Sequence, residues 1–462
     1  MVDAEGQLMT LRSVGLIWSL AIVLMIAATL AWRDSESTGD ELQKATVFPT
    51  EFSVDSIDRL VVEISSEEPP RTLVFELREA GWRQILPFEI AADGFAIRQL
   101  IVAAADLAAS RRTPISEVIS ADGPGLASLG LDPPEAIIGF EAPGFQSKIE
   151  LGARTVAGRS WIRIVGDDEV LVVDDDLHQR AIDDDPRNWR SRRVFASDRE
   201  ISGVTIQNGM TVTSVARTGR LWRLSSPVDT RVDGPAIDAL LGVLGRVEHD
   251  GFVMDGDFDA SRFGLTDPAA TVTVRRDDGV TETLVIGGPA GLVSRDRFAM
   301  IEGMPMVVRI DEATLRGLLP PVLGLIEPTG SGVRPADVKS IEITAMDDFV
   351  RLERDLDQWT VEVVRGDERA AGLTSTEYVD ALIQTLTSTR GTEVIVQAFP
   401  TKLAIANVVF HGFDGRPLDT VRIAREASAG RWAFENGDGV LRLLPASTEI
   451  PLAANEWPIL DR

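Results

Sequence analysis

The stretch GWRQILPFEIAADGFAIRQLI, residues 81–101, has a counterpart in LWRLSSPVDTRVDGPAIDALL, residues 221–241. Each copy places a proline five residues after its tryptophan, Pro87 after Trp82 and Pro227 after Trp222. Asp93-Gly94 and Asp233-Gly234 come six residues after those prolines. Ala96-Ile97 and Ala236-Ile237 follow, then Leu100 and Leu240. So many matches without a gap mark an internal duplication. The period is far too long for a solenoid unit and fits whole domains.

A third, diverged copy surrounds Trp359 in DLDQWTVEV. Its helix, Thr376 to Thr389, carries Val379, Leu382, Ile383 and Leu386 at the spacing of Ile97, Leu100, Ile101 and Ala104. This copy lacks the proline and has five extra residues between tryptophan and helix. Three copies agree with 462 residues at roughly 150 per domain.

Alternation of apolar and polar residues predicts strands with one buried face. The first copy gives Leu60–Ile64, Thr72–Leu77 and a third strand holding Trp82. One amphipathic helix follows, with Asp93, Asp233 and either Thr374 or Ser375 as N-caps of the three copies. The first two copies then carry a Gly-Pro turn, Leu129-Gly130-Leu131-Asp132-Pro133 and Phe263-Gly264-Leu265-Thr266-Asp267-Pro268. Four more strands complete each module. The expected fold class is α+β, three repeated modules of largely antiparallel sheet with one or two packed helices. The expected boundaries are 51–195, 196–330 and 331–462. The junctions fall at Ala196-Ser197-Asp198 and at the linker Gly330-Ser331-Gly332.

Ahead of the modules, residues 1–13 form a short arm and Val14–Trp32 reads VGLIWSLAIVLMIAATLAW, without a charge. At 1.5 Å per residue this run spans about 28 Å, the thickness of a bilayer core. Trp18 and Trp32 lie towards its ends and Arg12 and Arg33 bracket it. It is expected to be a single transmembrane anchor. The N-terminus would lie in the cytoplasm, and the bulk of the chain outside a bacterial inner membrane. Residues 33–50 read as a polar tether.

The anchor, Gly81-Trp82, Pro87, Asp93-Gly94, the Leu129–Pro133 turn and Leu151-Gly152, with the second-copy equivalents ending at Ile286-Gly287, resemble the bacterial family known as domain of unknown function 4340. The resemblance covers the anchor and roughly residues 50–320 well, and 331–462 weakly. It implies a membrane-anchored envelope protein associated with the permease and ATPase subunits of gliding-motility-type ABC transporters. The family has no established catalytic residues, so none carries over.

Composition narrows the chemistry. Lys+Arg 46 against Asp+Glu 72 gives a net charge of -26, which argues against nucleic acid as a partner. Without cysteine there is no disulfide, thiolate site or cysteine nucleophile. No Walker A, H-E-x-x-H or G-x-S-x-G motif occurs. His178, His249 and His411 fall in different modules. Asp255, Asp257 and Asp259 start like a calcium loop, but Ala260 and Thr266 occupy its glycine and glutamate positions. Asp174–Asp176 and Asp183–Asp185 read as solvated or capping carboxylates, with divalent-cation binding as the alternative. Arg187–Arg193 is a basic cluster suited to pairing with them across the module junction, or to contacting anionic lipid headgroups or a partner. Trp82, Trp222 and Trp359 read as core anchors, with sugar stacking as the alternative. No catalytic, cofactor-binding or metal-binding residue is assigned, and no cofactor is expected. The expected function is a non-catalytic scaffold or binding accessory of an ABC-type transporter. The alternatives are a glycan-binding adhesin and an enzyme with a site between modules.

Overall fold

The computed structural model describes residues 47–48, 52–65, 69–155, 158–183, 185–195, 199–426 and 429–460. The apolar segment 14–32 and the junction 196–198 lie outside them. Among the described residues no helix is long and apolar enough to cross a membrane.

The first sheet contains β1 (Arg59–Ile64), β2 (Arg71–Arg78), β3 (Gly81–Leu86), β4 (Ile90–Ala91), β5 (Arg111–Pro114), β6 (Ala136–Ala142), β7 (Phe145–Thr155), β8 (Arg159–Ile164) and β9 (Glu169–Asp174). Its spatial order is β4-β3-β2-β1-β6-β7-β8-β9-β5, with every neighbouring pair antiparallel. Helix α1 (Gly94–Ala105) lies in the connection from one sheet edge, β4, to the other, β5.

The second sheet repeats this order with β10 (Ile201–Asn208), β11 (Thr211–Thr218), β12 (Leu221–Ser226), β13 (Thr230–Arg231), β14 (Gly251–Asp255), β15 (Ala270–Arg276), β16 (Thr281–Pro289), β17 (Arg297–Ile301) and β18 (Met306–Ile310). Its helices are α2 (Gly234–Leu244) and α3 (Glu312–Leu318). The third sheet has β19 (Ser340–Ala345), β20 (Asp348–Asp355), β21 (Gln358–Arg365), β22 (Glu368–Thr374), β23 (Glu393–Val396), β24 (Ala404–His411), β25 (Pro417–Arg425), β26 (Trp432–Glu435) and β27 (Val440–Leu444), with α4 (Thr376–Thr387). Three nine-stranded antiparallel sheets of one topology are the three expected modules.

Each sheet gains two strands beyond those expected. In the first sheet they are β4, two residues long, and β5, whose sequence is RRTP. Both are edge strands, and neither is long or apolar enough to produce a period-2 signal. In the third sheet β22 absorbs the extra residues between Trp359 and the helix.

Each sheet packs the helix stripe on one face. Ile97, Leu100, Ile101 and Ala104 of α1 join Leu60, Val62, Phe75, Ile138 and Phe140 in one core. Val47 and Phe48, placed by sequence in the tether, belong to that core. Val47 N–H donates to Leu107 O at 2.9 Å, and Phe48 stacks on Phe52 at 4.4 Å. A smaller apolar cluster forms separately from this core. In the first module it is Val118, Leu129, Leu131 and Val170; in the second, Phe263, Leu265 and Val307; in the third, Ala424, Ala433, Leu441 and Leu443.

The family motif builds these smaller clusters. Gly130 and Gly264 both sit at φ +67, a left-handed conformation that glycine adopts without a Cβ clash. A Cβ on Gly152 would stand 2.4 Å from Leu129 O, and one on Gly287 2.3 Å from Phe263 O. The turn is thus seated on the glycine of the neighbouring strand. In the third module the residue after Ile423 is Ala424, register-equivalent to Gly152 and Gly287. The left-handed turn is missing there too, so turn and glycine were lost together.

The chain divides into two compact units, Met1–Ser191 and Arg192–Arg462. The first carries sheet one and the second carries sheets two and three. Arg192–Phe195, assigned by sequence to the first module, go with the second unit because Val194 N–H donates to Val247 O at 3.1 Å and Val194 and Phe195 are buried.

Replacing Gly287 with alanine forces the turn off its seat, and destabilisation of about 1–3 kcal/mol is expected. Gly234→Ala, at a helix start with open space around the Cβ, is expected to be neutral or stabilising by under about 1 kcal/mol. Urea unfolding of both variants checks the contrast; equal midpoints would contradict the packing account.

Candidate functional site

The densest polar chemistry lies within the second unit, where sheets two and three meet. It begins with β27, sequence VLRLL, in which every residue is buried. Four apolar side chains place an arginine, Arg442, in the interior at 0% exposure. A buried guanidinium is tolerated only when its donors are matched. Arg442 Nε donates to Glu327 O at 2.8 Å. Its Nη1 donates to Asp438 Oδ1 at 3.2 Å and Val440 O at 3.1 Å. Its Nη2 donates to Asp438 Oδ2 at 2.6 Å and Thr230 Oγ1 at 3.0 Å. Thr230 belongs to sheet two and Glu327 to the linker, so one side chain of sheet three holds both.

A second ion pair lies beside it. Arg390 Nη1 and Nη2 donate to the two oxygens of Asp233 at 2.9 and 3.0 Å. This bidentate geometry is the strong form of the arginine–carboxylate contact. Asp93, the first-module equivalent, caps its helix by accepting from Phe95 N–H at 2.9 Å and Ala96 N–H at 3.3 Å. Asp233 makes no such side-chain cap. The expected N-cap is realised in the first module and exchanged for an inter-sheet ion pair in the second. In the third module Ser375 holds the cap position without a side-chain cap bond, while Thr374 Oγ1 donates to Pro458 O at 2.8 Å.

The linker between these two sheets is a buried joint. Pro328, Thr329, Gly330 and Ser331 are buried. Arg231 O accepts from Glu327 N–H at 3.0 Å, and Pro328 O accepts from Gly391 N–H at 3.0 Å. Ser331 N–H donates to Leu386 O at 2.7 Å, and its hydroxyl to Asp419 at 2.7 Å. A Cβ on Gly330 would stand 2.7 Å from Phe434, and one on Gly332 2.4 Å from Arg231 Nη1. Both glycines serve close approach.

The electrostatics follow from burial. Burial pushes the Asp438 carboxyl up, but hydrogen bonds from Arg442 and Thr230, with the Arg442 charge, outweigh it and hold the group below its ordinary range. Arg231 is shifted down by burial and then by the neighbouring Arg442 charge, against Asp419, Asp438 and Glu327. The hydrogen bond to Asp233 shifts Arg390 up. A cavity of about 910 Å³ opens at the joint, lined among others by Arg223, Arg231, Arg334, Asp229, Asp419 and Asp438. Three of its cations pair closely, Arg223 with Asp229 at 2.6 Å, Arg334 with Asp337 at 2.8 Å and Arg442 with Asp438 at 2.6 Å, whereas Arg231 lies 3.7 Å from Asp419 and its Nε and Nη1 make no hydrogen bond among the described residues. Arg442 with Asp438 and Thr230, and Arg390 with Asp233, link the two sheets at this joint.

The residues singled out from sequence have local roles. His178 is fully buried, and its Nε2 lies 2.7 Å from Gly152 O, tying it to the motif glycine. His411 lies 3.5 Å from Glu342. His249 is 2% exposed against Phe252, and neither ring nitrogen has a hydrogen-bond partner. Burial, then the Arg192 charge, lowers its pKa to about 4. Asp259 accepts from Ser261 N–H at 3.0 Å, capping the turn before Phe263. Among the described residues no His, Asp and Glu group could hold a metal ion.

Asp176 pairs with Arg180 at 3.2 Å and Asp185 with Arg187 at 2.6 Å, both contacts local in the chain. Asp184 lies outside the described residues. The basic cluster is not one exposed patch, because Arg190 is 2% exposed, donates to Gln84 at 2.9 Å and lies over the Phe88 ring. Trp359 is buried, Trp82 packs against the first core and Trp222 is half-buried. Sequence reasoning missed Arg442, Asp438, Arg390 and Thr230. The available signal was the lone arginine in VLRLL.

Arg442→Met leaves Asp438 buried and unpaired, and a loss of about 3–5 kcal/mol is expected. Arg390→Met, at a side chain 54% exposed, is expected to lose about 1–2 kcal/mol. Denaturant unfolding followed by tryptophan fluorescence checks the order; Arg390→Met costing as much as Arg442→Met would contradict it.

For His249, the folded pKa of about 4 lies below the unfolded value of about 6.5. The unfolded state therefore binds the extra proton between these values, and stability rises with pH across that window. The contribution is complete above pH ~6.5 and is lost as pH falls to ~4, amounting to roughly 3 kcal/mol. His249→Leu should flatten that part of the stability–pH curve; an unchanged slope would refute the assignment.

No curated protein matches the chain. Among solved structures, the DNA polymerase sliding clamp of Pseudomonas aeruginosa, crystallised with ligand, aligns at 11% identity. That alignment covers 89% of this chain and 97% of that one at a TM-score of 0.15, which carries no argument about fold or function. The family model described as Domain of unknown function (DUF4340) matches residues 82–220 and 222–407. These matches take in most of the chain, including the tryptophan, helix and turn motifs of the first two sheets, and the chain belongs to this family.

Proposed function

We propose that the protein is a single-pass, membrane-anchored extracytoplasmic scaffold, a non-catalytic accessory of an ABC-type transporter complex. The observation that carries this reading is the ion-paired joint of the second unit. A protein that must present surfaces at a fixed spacing benefits from sheets held by buried, matched charges, since removing either partner costs several kcal/mol. Arg223, Arg334 and Arg442 at the joint cavity are each paired with a carboxylate, which suits support more than catalysis. The uncharged segment 14–32 supports anchoring at a bacterial inner membrane, with the modules on the periplasmic side.

The outer faces of the sheets support a role in presentation. At register-equivalent positions sheet one carries Val61 and the exposed Lys148, between or beside the buried Val74 and Gly139. Sheet three carries Arg351, Glu342, Val409 and Thr420. One topology thus displays chemically different surfaces, as expected when each contacts a different partner.

The test is affinity purification of the full-length chain from native membranes in mild detergent, with mass spectrometry of what accompanies it. Permease and ATPase subunits of an ABC transporter are expected, with recovery reduced by Arg442→Met. Recovery of the protein alone would overturn the transporter assignment.

A further inference from the structure

The outer face of sheet two differs from the other two. The pleat turns Val204, Ile206, Val272 and Val274 into the core and their neighbours outward. Ser214, Thr205, Thr273 and Thr283 are thereby register partners on β11, β10, β15 and β16. Their hydroxyls line up: Thr205 Oγ1 lies 3.4 Å from Ser214 Oγ, and Thr273 Oγ1 3.1 Å from Thr283 Oγ1. At about 4.8 Å between strands the row is about 14 Å long.

The adjoining row, Val212, Gln207, Thr271 and Val285, is also uncharged. On the other side Arg275 lies across Gly203, where a Cβ would stand 3.0 Å from its Nη2. Thr205 and Arg275 are exposed, and Ser214, Thr273 and Thr283 are half-buried. In a chain with 26% charged residues and a net charge of -26, two uncharged rows across four strands select against ionic partners. Each pair uses one of its two hydroxyl protons, so an apolar protein surface laid here would bury the other two protons without an acceptor, at a cost for each. A polyol satisfies them, since each threonine hydroxyl both donates and accepts. Its C–H faces would meet Val212, which is exposed.

We propose that this open part of sheet two binds a neutral polysaccharide strand. The strand lies across β11, β10, β15 and β16. The hydroxyls of Ser214, Thr205, Thr273 and Thr283 bond sugar hydroxyls, and Arg275 closes one side as a further donor. This site is independent of the transporter reading, which is decided by co-purified subunits.

The test is co-sedimentation of the full chain with insoluble chitin and with insoluble cellulose. The wild type is expected to be retained on at least one polymer. Thr205→Val with Thr273→Val, which keeps shape and strand propensity, should weaken retention about thirtyfold through two lost hydrogen bonds. Thr273→Arg, which fills the row, should abolish it. An unchanged thermal melt certifies that the variants fold. No wild-type retention on either polymer, or retention equal in all variants, overturns the proposal. Loss of a co-purifying protein from the variants, without glycan retention by the wild type, would assign the face to a protein contact and overturn it equally.

Discussion

The second unit depends on one buried cation. Arg442 lies in the fully buried strand β27, where a guanidinium would be prohibitive without matched acceptors. Its acceptors come from three places: Asp438 in the same hairpin, Glu327 O in the linker and Thr230 in the other sheet. Sheet three therefore cannot satisfy its own core without sheet two. That dependence is the physical reason why two modules form one compact unit. An apolar residue in its place could have packed as well or better. Buried charge contributes specificity more readily than stability, because only one relative placement of the sheets matches all the donors.

The fold was legible where side chains repeat with the period of their element. The strand pairs, the apolar helix stripe facing each core and, in the first two modules, the turn before the fourth-to-last strand all follow from periodicity and from glycine and proline positions. The edge strands β4, β5 and β22 were not legible, because an edge strand need not be apolar on either face. The topology was also hidden. Nothing in the sequence says that the helix leads from one edge of the sheet to the other, since that ordering is fixed by pairing between distant strands.

The joint was less legible than the fold. Asp233 was recognisable as the equivalent of Asp93 and was read as a helix cap, the ordinary use of aspartate before a helix. Its actual partner, Arg390, lies 157 positions away, and local spacing carries no trace of such a contact. Gly330-Ser331-Gly332 shows the same limit. Small residues permit both a flexible linker and a close approach, and only the neighbours Phe434 and Arg231 decide for the second.

Divergence among the three copies follows from what each must pack against. The first keeps the aspartate cap and the seated glycine turn. The second keeps the turn but commits its aspartate to Arg390, leaving the α2 start without a side-chain cap. The third has lost both the turn and its glycine seat. It fills the corresponding place with Ala424, Ala433, Leu441 and Leu443, and covers its main core with Ile450, Leu452, Ala454 and Trp457 from the C-terminal segment. Because the core pattern is conserved in kind while caps, turns and outer faces are not, the repeated sheet acts as a frame. The surfaces that differ between frames are where distinct binding roles can arise without disturbing the fold.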